Sequence, residues 1–210
     1  VFSYALHHHQ ELLRALIEHI ELSVTALFIA FSIALPLGYS LSKSPRLSNT
    51  VVGLFSMLYA IPSLGLLALL VPVFGLGNVS AIIALVLYAQ FILVRNTILG
   101  FRSVSPTMVE VGKGMGLSAF QLFRQVEFPL ALPTIIGGLR VATASTIGIA
   151  SLAAWINAGG LGAILFDGIY QNHIPKMLWG SLLITALGLS LELMLLDLQK
   201  SAQSEIHTTT

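Results

Sequence analysis

The chain has 210 residues, 56% of them hydrophobic and only 9% charged, and its mean hydropathy is +0.89. A soluble domain carries roughly 25% charged residues, so this chain lacks the polar surface to face water on every side. A net charge of +1 leaves no basic face for a nucleic acid, and the absence of cysteine excludes disulfides, thiolate metal sites and cysteine nucleophiles.

Residues 1–19 read as an amphipathic lead-in. They carry His7, His8, His9, Glu11, Arg14 and Glu18 with no basic start before an apolar run, so they do not read as a cleaved signal peptide. Adjacent histidines on a helix point about 100° apart and chelate poorly, which makes His7-His8-His9 a solvated patch rather than a metal site.

Five apolar runs follow, at about 20–41, 51–74, 79–99, 130–152 and 177–196. Each is long enough, at ~1.5 Å per residue, to cross roughly 30 Å of hydrocarbon. Backbone in lipid must satisfy its own hydrogen bonds, so the runs are predicted helices. The expectation is an all-α integral membrane protein with one transmembrane domain of about five helices. Leu161–Tyr170 is a sixth apolar piece, too short to span.

The breaks are chemically legible. Residues 42–46 make a short polar turn, and Gly75-Leu76-Gly77-Asn78 a tight one in which Asn78 is the predicted cap of the third span. Pro62 and Pro72 remove hydrogen bonds within the second span, which implies either a kink beside a pathway or packing accommodation. The two long loops cover 103–128 and 156–176. With the first of these inside, Lys43, Arg46, Arg102, Lys113, Arg124 and Lys200 are inside too. Arg95 and Arg140 then sit on the inner halves of their helices, and only Arg14 and Lys176 fall outside. The positive-inside bias therefore predicts an external N-terminus and a cytoplasmic C-terminus.

The stretch from Glu110 to Pro129 reads EVGKGMGLSAFQLFRQVEFP. Its Gly112-Lys113-Gly114 invites a phosphate-loop reading that fails. Thr107 stands where the first glycine is needed, and Gly114 where Ser or Thr would hold magnesium. The predicted form is a helix from about Thr107, a break near Gly114–Gly116 and a short helix over Ser118–Gln125. That second helix presents Phe120, Leu122 and Phe123 beside Gln121 and Arg124. Such apolar groups either fold onto the membrane interface or dock in a partner's groove.

Within the spans, Arg140 is predicted to pair with Glu192 on the neighbouring helix or to serve a gating or substrate role. Glu192 and Asp197 also lie within snorkelling reach of the inner interface. Tyr59, Tyr88, Phe91 and Trp155 are either packing groups or aromatic faces along a path for a cation, each worth ~0.5–2 kcal/mol. No cysteine, H-E-x-x-H or paired intramembrane carboxylates at helical spacing are present to support a membrane enzyme.

The loop resembles the EAA loop of binding-protein-dependent ABC importers. Glu110 and Gly116 match that pattern, Val126, Phe128 and Pro129 hold its I, L and P positions, and Val111 and Gly112 replace its two alanines. Ala60–Gly65, Val94-Arg95-Asn96-Thr97 and Ala158–Gly162 resemble, in order, motifs of the glycine betaine/carnitine/choline permease branch. Methionine-type permeases are built similarly.

This resemblance implies a type I ABC importer permease in a bacterial cytoplasmic membrane, not an enzyme, binding no cofactor itself. Its expected partners are two ATPase subunits that use ATP and Mg²⁺, a second permease copy or paralogue, an extracellular substrate-binding protein or domain, and the lipid bilayer. The coupling element would comprise Glu110, Gly116, Ala119, Phe120, Gln121, Leu122, Phe123 and Arg124, with Glu110 supporting its base by capping or ion pairing. Pathway or gating candidates are Tyr59, Pro62, Tyr88, Phe91, Arg140, Trp155 and Glu192. The implied substrate is an osmoprotectant such as glycine betaine, carnitine or choline. An amino-acid, methionine-type or ergothioneine-like substrate is the alternative, with an ATP-independent channel or carrier behind it.

Overall fold

The computed structural model describes the backbone of residues 2–209 and the side chains of residues 3–204. A short helix α1 (Phe2–His7) leads into α2 (His9–Ser42), which is 34 residues long. The expected lead-in and first span are thus one helix, because no glycine or proline interrupts the chain between His9 and Leu35. The three histidines turn their Nδ1 atoms back onto helix carbonyls, His7 on Ser3 at 2.7 Å, His8 on Tyr4 at 3.1 Å and His9 on Leu6 at 3.1 Å.

The second span is not one helix. It divides into α3 (Pro45–Tyr59) and α4 (Ser63–Phe74), bent by 92° at Ala60–Pro62. Pro62 ends the helical ladder, whereas Pro72 lies inside α4 without stopping it. The difference is positional: α4 ends within two residues of Pro72 in any case.

Next come α5 (Asn78–Arg102) and α6 (Pro106–Gly114), then a single turn, α7 (Ala119–Leu122). A π-helical turn over Phe123–Glu127 carries α7 into α8 (Phe128–Ala150), which ends in a 3₁₀ turn over Ser151–Ile156. α9 (Leu161–Tyr170) and α10 (Ile174–Thr209) complete the chain. Asn78 is the first residue of α5 rather than its cap. Gly77 takes the cap position, and its N–H donates to the Ile156 carbonyl at 2.7 Å.

The core is the α2–α5–α8 packing. Ala26, Ala30 and Ala34 repeat every fourth residue on α2 and are wholly buried, as are Ala81 and Ala84 on α5 and Ala131 and Ala142 on α8. Small residues let helix backbones approach closely where lipid supplies no hydrophobic drive for association. Gln90 on α5 adds a cross-helix hydrogen bond, its Nε2 donating to the Ala30 carbonyl at 3.0 Å. α10 stays on the periphery against α8 and α9, its apolar residues mostly exposed.

Contacts fix which helix ends lie together. Arg102, at the end of α5, donates to the carbonyls of Ser42 at 3.1 Å and Leu41 at 3.4 Å and to Ser48 Oγ at 2.7 Å. The ends of α2 and α5 and the start of α3 therefore share one end of the bundle with α6 and α7, the loop end. Gly77, Ile156, α9 and the start of α2 share the far end, where Glu18 accepts from the Gly160 N–H at 3.1 Å. The bent α3–α4 pair begins at the loop end and finishes at the far end. It crosses the bundle once and is not a re-entrant hairpin.

Candidate functional site

The loop between α5 and α8 is built by capping chemistry. Pro106 opens α6 with its preset φ. Gly116 closes it at φ +81°, with the Gly116 N–H on the Lys113 carbonyl at 2.9 Å and the Leu117 N–H on the Gly112 carbonyl at 3.1 Å. This is the Schellman arrangement, which calls for a left-handed residue at that point. The chain then restarts through a capping box: Gln121 N–H donates to Ser118 Oγ at 3.3 Å, and Ser118 N–H to Gln121 Oε1 at 2.8 Å.

Gly112 occupies the place of the second alanine in the EAA pattern, and the geometry supplies a reason. A Cβ there would lie 2.7 Å from Leu122 Cδ1. Leu122 is buried here, and glycine lets its Cδ1 methyl lie against the α6 backbone without the rotation that an alanine at 112 would require.

The short helix does not stop at Gln125 as its sequence suggests. It runs through the π turn into α8, with Phe128 N–H bonded to the Phe123 carbonyl. Pro129 has no N–H to give and its ring crowds the carbonyl four residues back, and a π turn relieves both conflicts.

The three apolar groups expected to share one exposed face are separated. Leu122 is buried. Phe123 turns inward into an aromatic cluster, with ring centroids 4.7 Å from Tyr39, 6.0 Å from Phe101 and 5.7 Å from Phe128. Tyr39 donates its hydroxyl to Glu127 Oε2 at 2.7 Å and accepts from Lys43 Nζ at 2.7 Å, tying the same turn to α2. Only Phe120 remains outside, 69% exposed, at the rim of a largely apolar groove of about 470 Å³. Leu35, Pro36 and Tyr39 form its far wall.

Ala119, Gln121 and Arg124 are exposed alongside. Glu110 is exposed and makes no hydrogen bond or ion pair with a described residue; the cap expected of it is made instead by Ser118 and Gln121.

Sequence reasoning overlooked the contribution of α6. Met108, Val111 and Met115 are all exposed and project, at i, i+3 and i+7, from one side of that helix. Their spacing was the available signal. Like Phe120, they are large apolar side chains left exposed on a loop that also exposes Lys113, Gln121 and Arg124.

Among the transmembrane candidates, Tyr59, Tyr88 and Phe91 come together beside the 92° bend, with Tyr59 centroids 5.6 Å from Tyr88 and 5.1 Å from Phe91. Pro62 stands at the bend itself. Trp155 is not part of this cluster; its ring stacks edge-on against Phe166 at 5.3 Å and Tyr170 at 5.9 Å near the far end. Arg140 and Glu192 pair as predicted, Arg140 donating through Nε at 3.1 Å and also through Nη2. The Arg140 Nη1 donates in addition to Gln199 Oε1 at 2.6 Å, a partner the sequence did not suggest.

Residues 24–201 match the family described as "binding-protein-dependent transport system inner membrane component". The chain is 38% identical over 175 residues to the carnitine transport permease protein OpuCB of Listeria monocytogenes, covering 83% of this chain and 80% of that one. It is 36% identical over 185 residues to the choline transport system permease protein OpuBB of Bacillus subtilis, covering 88% and 85%. With the osmoprotectant import permease protein OsmW of Salmonella typhimurium it shares 37% over 187 residues, covering 87% of each.

Its fold superposes on the MetNI methionine ABC transporter, solved in inward-facing conformations, with TM-score 0.82 at 22% identity over 91% of this chain and 95% of that one. An amino acid ABC transporter with histidines gives TM-score 0.73 at 16% identity over 98% of both. The chain belongs to the binding-protein-dependent inner-membrane transport components, as a transmembrane permease subunit with the type I ABC importer fold.

Proposed function

We propose that this permease carries a small quaternary-ammonium or zwitterionic osmoprotectant, and that its α6–α7 loop seats it on a cytoplasmic ATPase. The single observation that carries the coupling role is the exposure of four large apolar side chains, Met108, Val111, Met115 and Phe120, on the loop at the end of the bundle that holds most of the arginines and lysines. Apolar groups on a water-facing loop favour a partner's groove, and a few large side chains in such a groove supply most of the binding energy. The relatives named for carnitine, choline and osmoprotectant import support the substrate class, each at 36–38% identity over most of the chain.

In this reading the loop end faces the cytoplasm and the far end the outside, where a binding protein delivers substrate. Two permease chains, alike or paralogous, sit on two ATPase subunits that bind ATP and Mg²⁺. Closure of the ATPases pushes α7, and the continuous α7–π turn–α8 rod passes that displacement into the membrane without a hinge between them. ATP-dependent uptake of labelled glycine betaine, carnitine and choline by the assembled importer tests the reading. Uptake of methionine instead would move the substrate class, and uptake without an ATPase would reject the importer.

A further inference from the structure

Two arginines lie well inside the spanning helices. Arg140 is accounted for by Glu192 and Gln199. Arg95 on α5 is exposed and makes no hydrogen bond or ion pair with any described residue. It stands about 10 Å along the helix axis from Arg102, at ~1.5 Å per residue. Snorkelling to the loop end is opposed by the direction of its side chain. A helix tilts every Cα–Cβ bond toward its own N-terminus, and the α5 N-terminus is at the far end. An unpaired guanidinium against hydrocarbon is costly, so charged residues at such depth face a bundle interior or water.

The same side of α5 carries Phe91 one turn nearer the bend, its ring 5.1 Å from Tyr59. Residues four apart on a helix lie about 5–6 Å from each other at Cβ. Aromatic faces and a guanidinium are thereby one turn apart, beside the only bent span among the described residues. The first attracts a quaternary ammonium and the second a carboxylate.

We propose that Arg95 faces the substrate path and takes the carboxylate of a zwitterionic substrate whose quaternary ammonium passes across Tyr59 and Phe91. This inference rests on the osmoprotectant reading for its ligand, but not for where Arg95 faces. The guanidinium binds the carboxylate through its planar fork of N–H donors and orients the molecule with its cationic end toward the rings. A cation without a carboxylate, such as choline, makes only the aromatic contact.

The test uses the complete importer, with its ATPase and binding protein, in vesicles of phosphatidylethanolamine and phosphatidylglycerol. Arg95→Cys places a single thiol in a chain that has no other. In the assembled complex it is expected to react with a negatively charged, impermeant methanethiosulfonate within tenfold of the rate at Ser201→Cys, an exposed position on α10. An unreactive thiol in a complex that retains its ATPase overturns the proposal, because that side chain then faces lipid or packed protein.

Arg95→Gln is expected to lower glycine betaine uptake at least tenfold while choline uptake changes less than twofold, and Arg95→Lys to restore part of the loss. Equal loss for both substrates, or no loss for either, overturns the carboxylate role. Wild-type uptake of neither compound rejects the osmoprotectant reading itself, and the thiol reaction still decides which way Arg95 faces.

Discussion

The hydroxyl of Tyr88 donates to the carbonyl oxygen of Ile61 at 2.5 Å. Ile61 stands in the gap between α3 and α4, where Pro62 supplies no N–H and the last carbonyls of α3 have no helical partner. No water in the bilayer core is free to replace that partner, so irregular backbone there persists only where protein satisfies it. Tyr88 is what allows a right-angle bend inside the bundle.

Tyr88→Phe keeps the ring against Tyr59 and removes only the donor. An acceptor left unmade in a buried setting costs on the order of 1–3 kcal/mol. The variant is expected to melt at a lower temperature and to import more slowly while still holding its ATPase. An unchanged melting temperature of the purified complex would show that the bend does not depend on this bond.

Phe120 and Phe123 are expected to behave oppositely although they are three residues apart. Phe120→Asp puts a charge at an exposed position of the loop, so the permease remains inserted and stable, releases the ATPase and stops importing. The charge must lose its water to dock, which is the source of the effect. Phe123→Ala removes packing among Tyr39, Phe101 and Phe128 and is expected to cost roughly 1.5–3 kcal/mol of stability. ATPase pull-down and thermal unfolding on the same samples separate the two, and a destabilised Phe120→Asp that keeps its ATPase would contradict the assignment.

Arg140 and Glu192 should couple in a double-mutant cycle. The pair is about one-quarter to one-third exposed, at 23% and 32%, so each single alanine is expected to cost roughly 1–3 kcal/mol, below the range for a fully buried pair. The double variant should lose less than the sum of the singles. Gln199→Ala is expected to give a smaller loss that largely disappears in the Arg140→Ala background. Additive losses throughout would mean that the network carries no energy of its own.

Absolute orientation is open to a chemical test. Ser118→Cys at the loop end and Gln171→Cys at the far end each give a single thiol. In sealed cells the second is expected to react with an impermeant reagent and the first only after permeabilisation. Labelling at position 118 in intact cells would invert the topology.

The apolar runs, the turns between them and the glycine-broken loop before α8 were all readable from the chain. Run length, proline and glycine act locally, and a helix in lipid has no alternative way to satisfy its backbone. The pairing of Arg140 with Glu192 was accessible as well, since two opposite charges at similar depth have few other partners.

What only the tertiary structure decided is rotation and aim. Whether Phe120 or Phe123 faces outward depends on the π turn before Pro129, which changes the angular phase of everything N-terminal to it. Whether Pro62 merely kinks a helix or turns it through 92° depends on Tyr88, supplied by another helix 27 residues away, to hold the freed carbonyl. Which side chain lies over Gly112 was likewise settled only by the fold, which brings the Leu122 methyl there. Each of these turns on contacts between segments distant in sequence, and helical periodicity says which residues share a side but not which neighbour that side will meet.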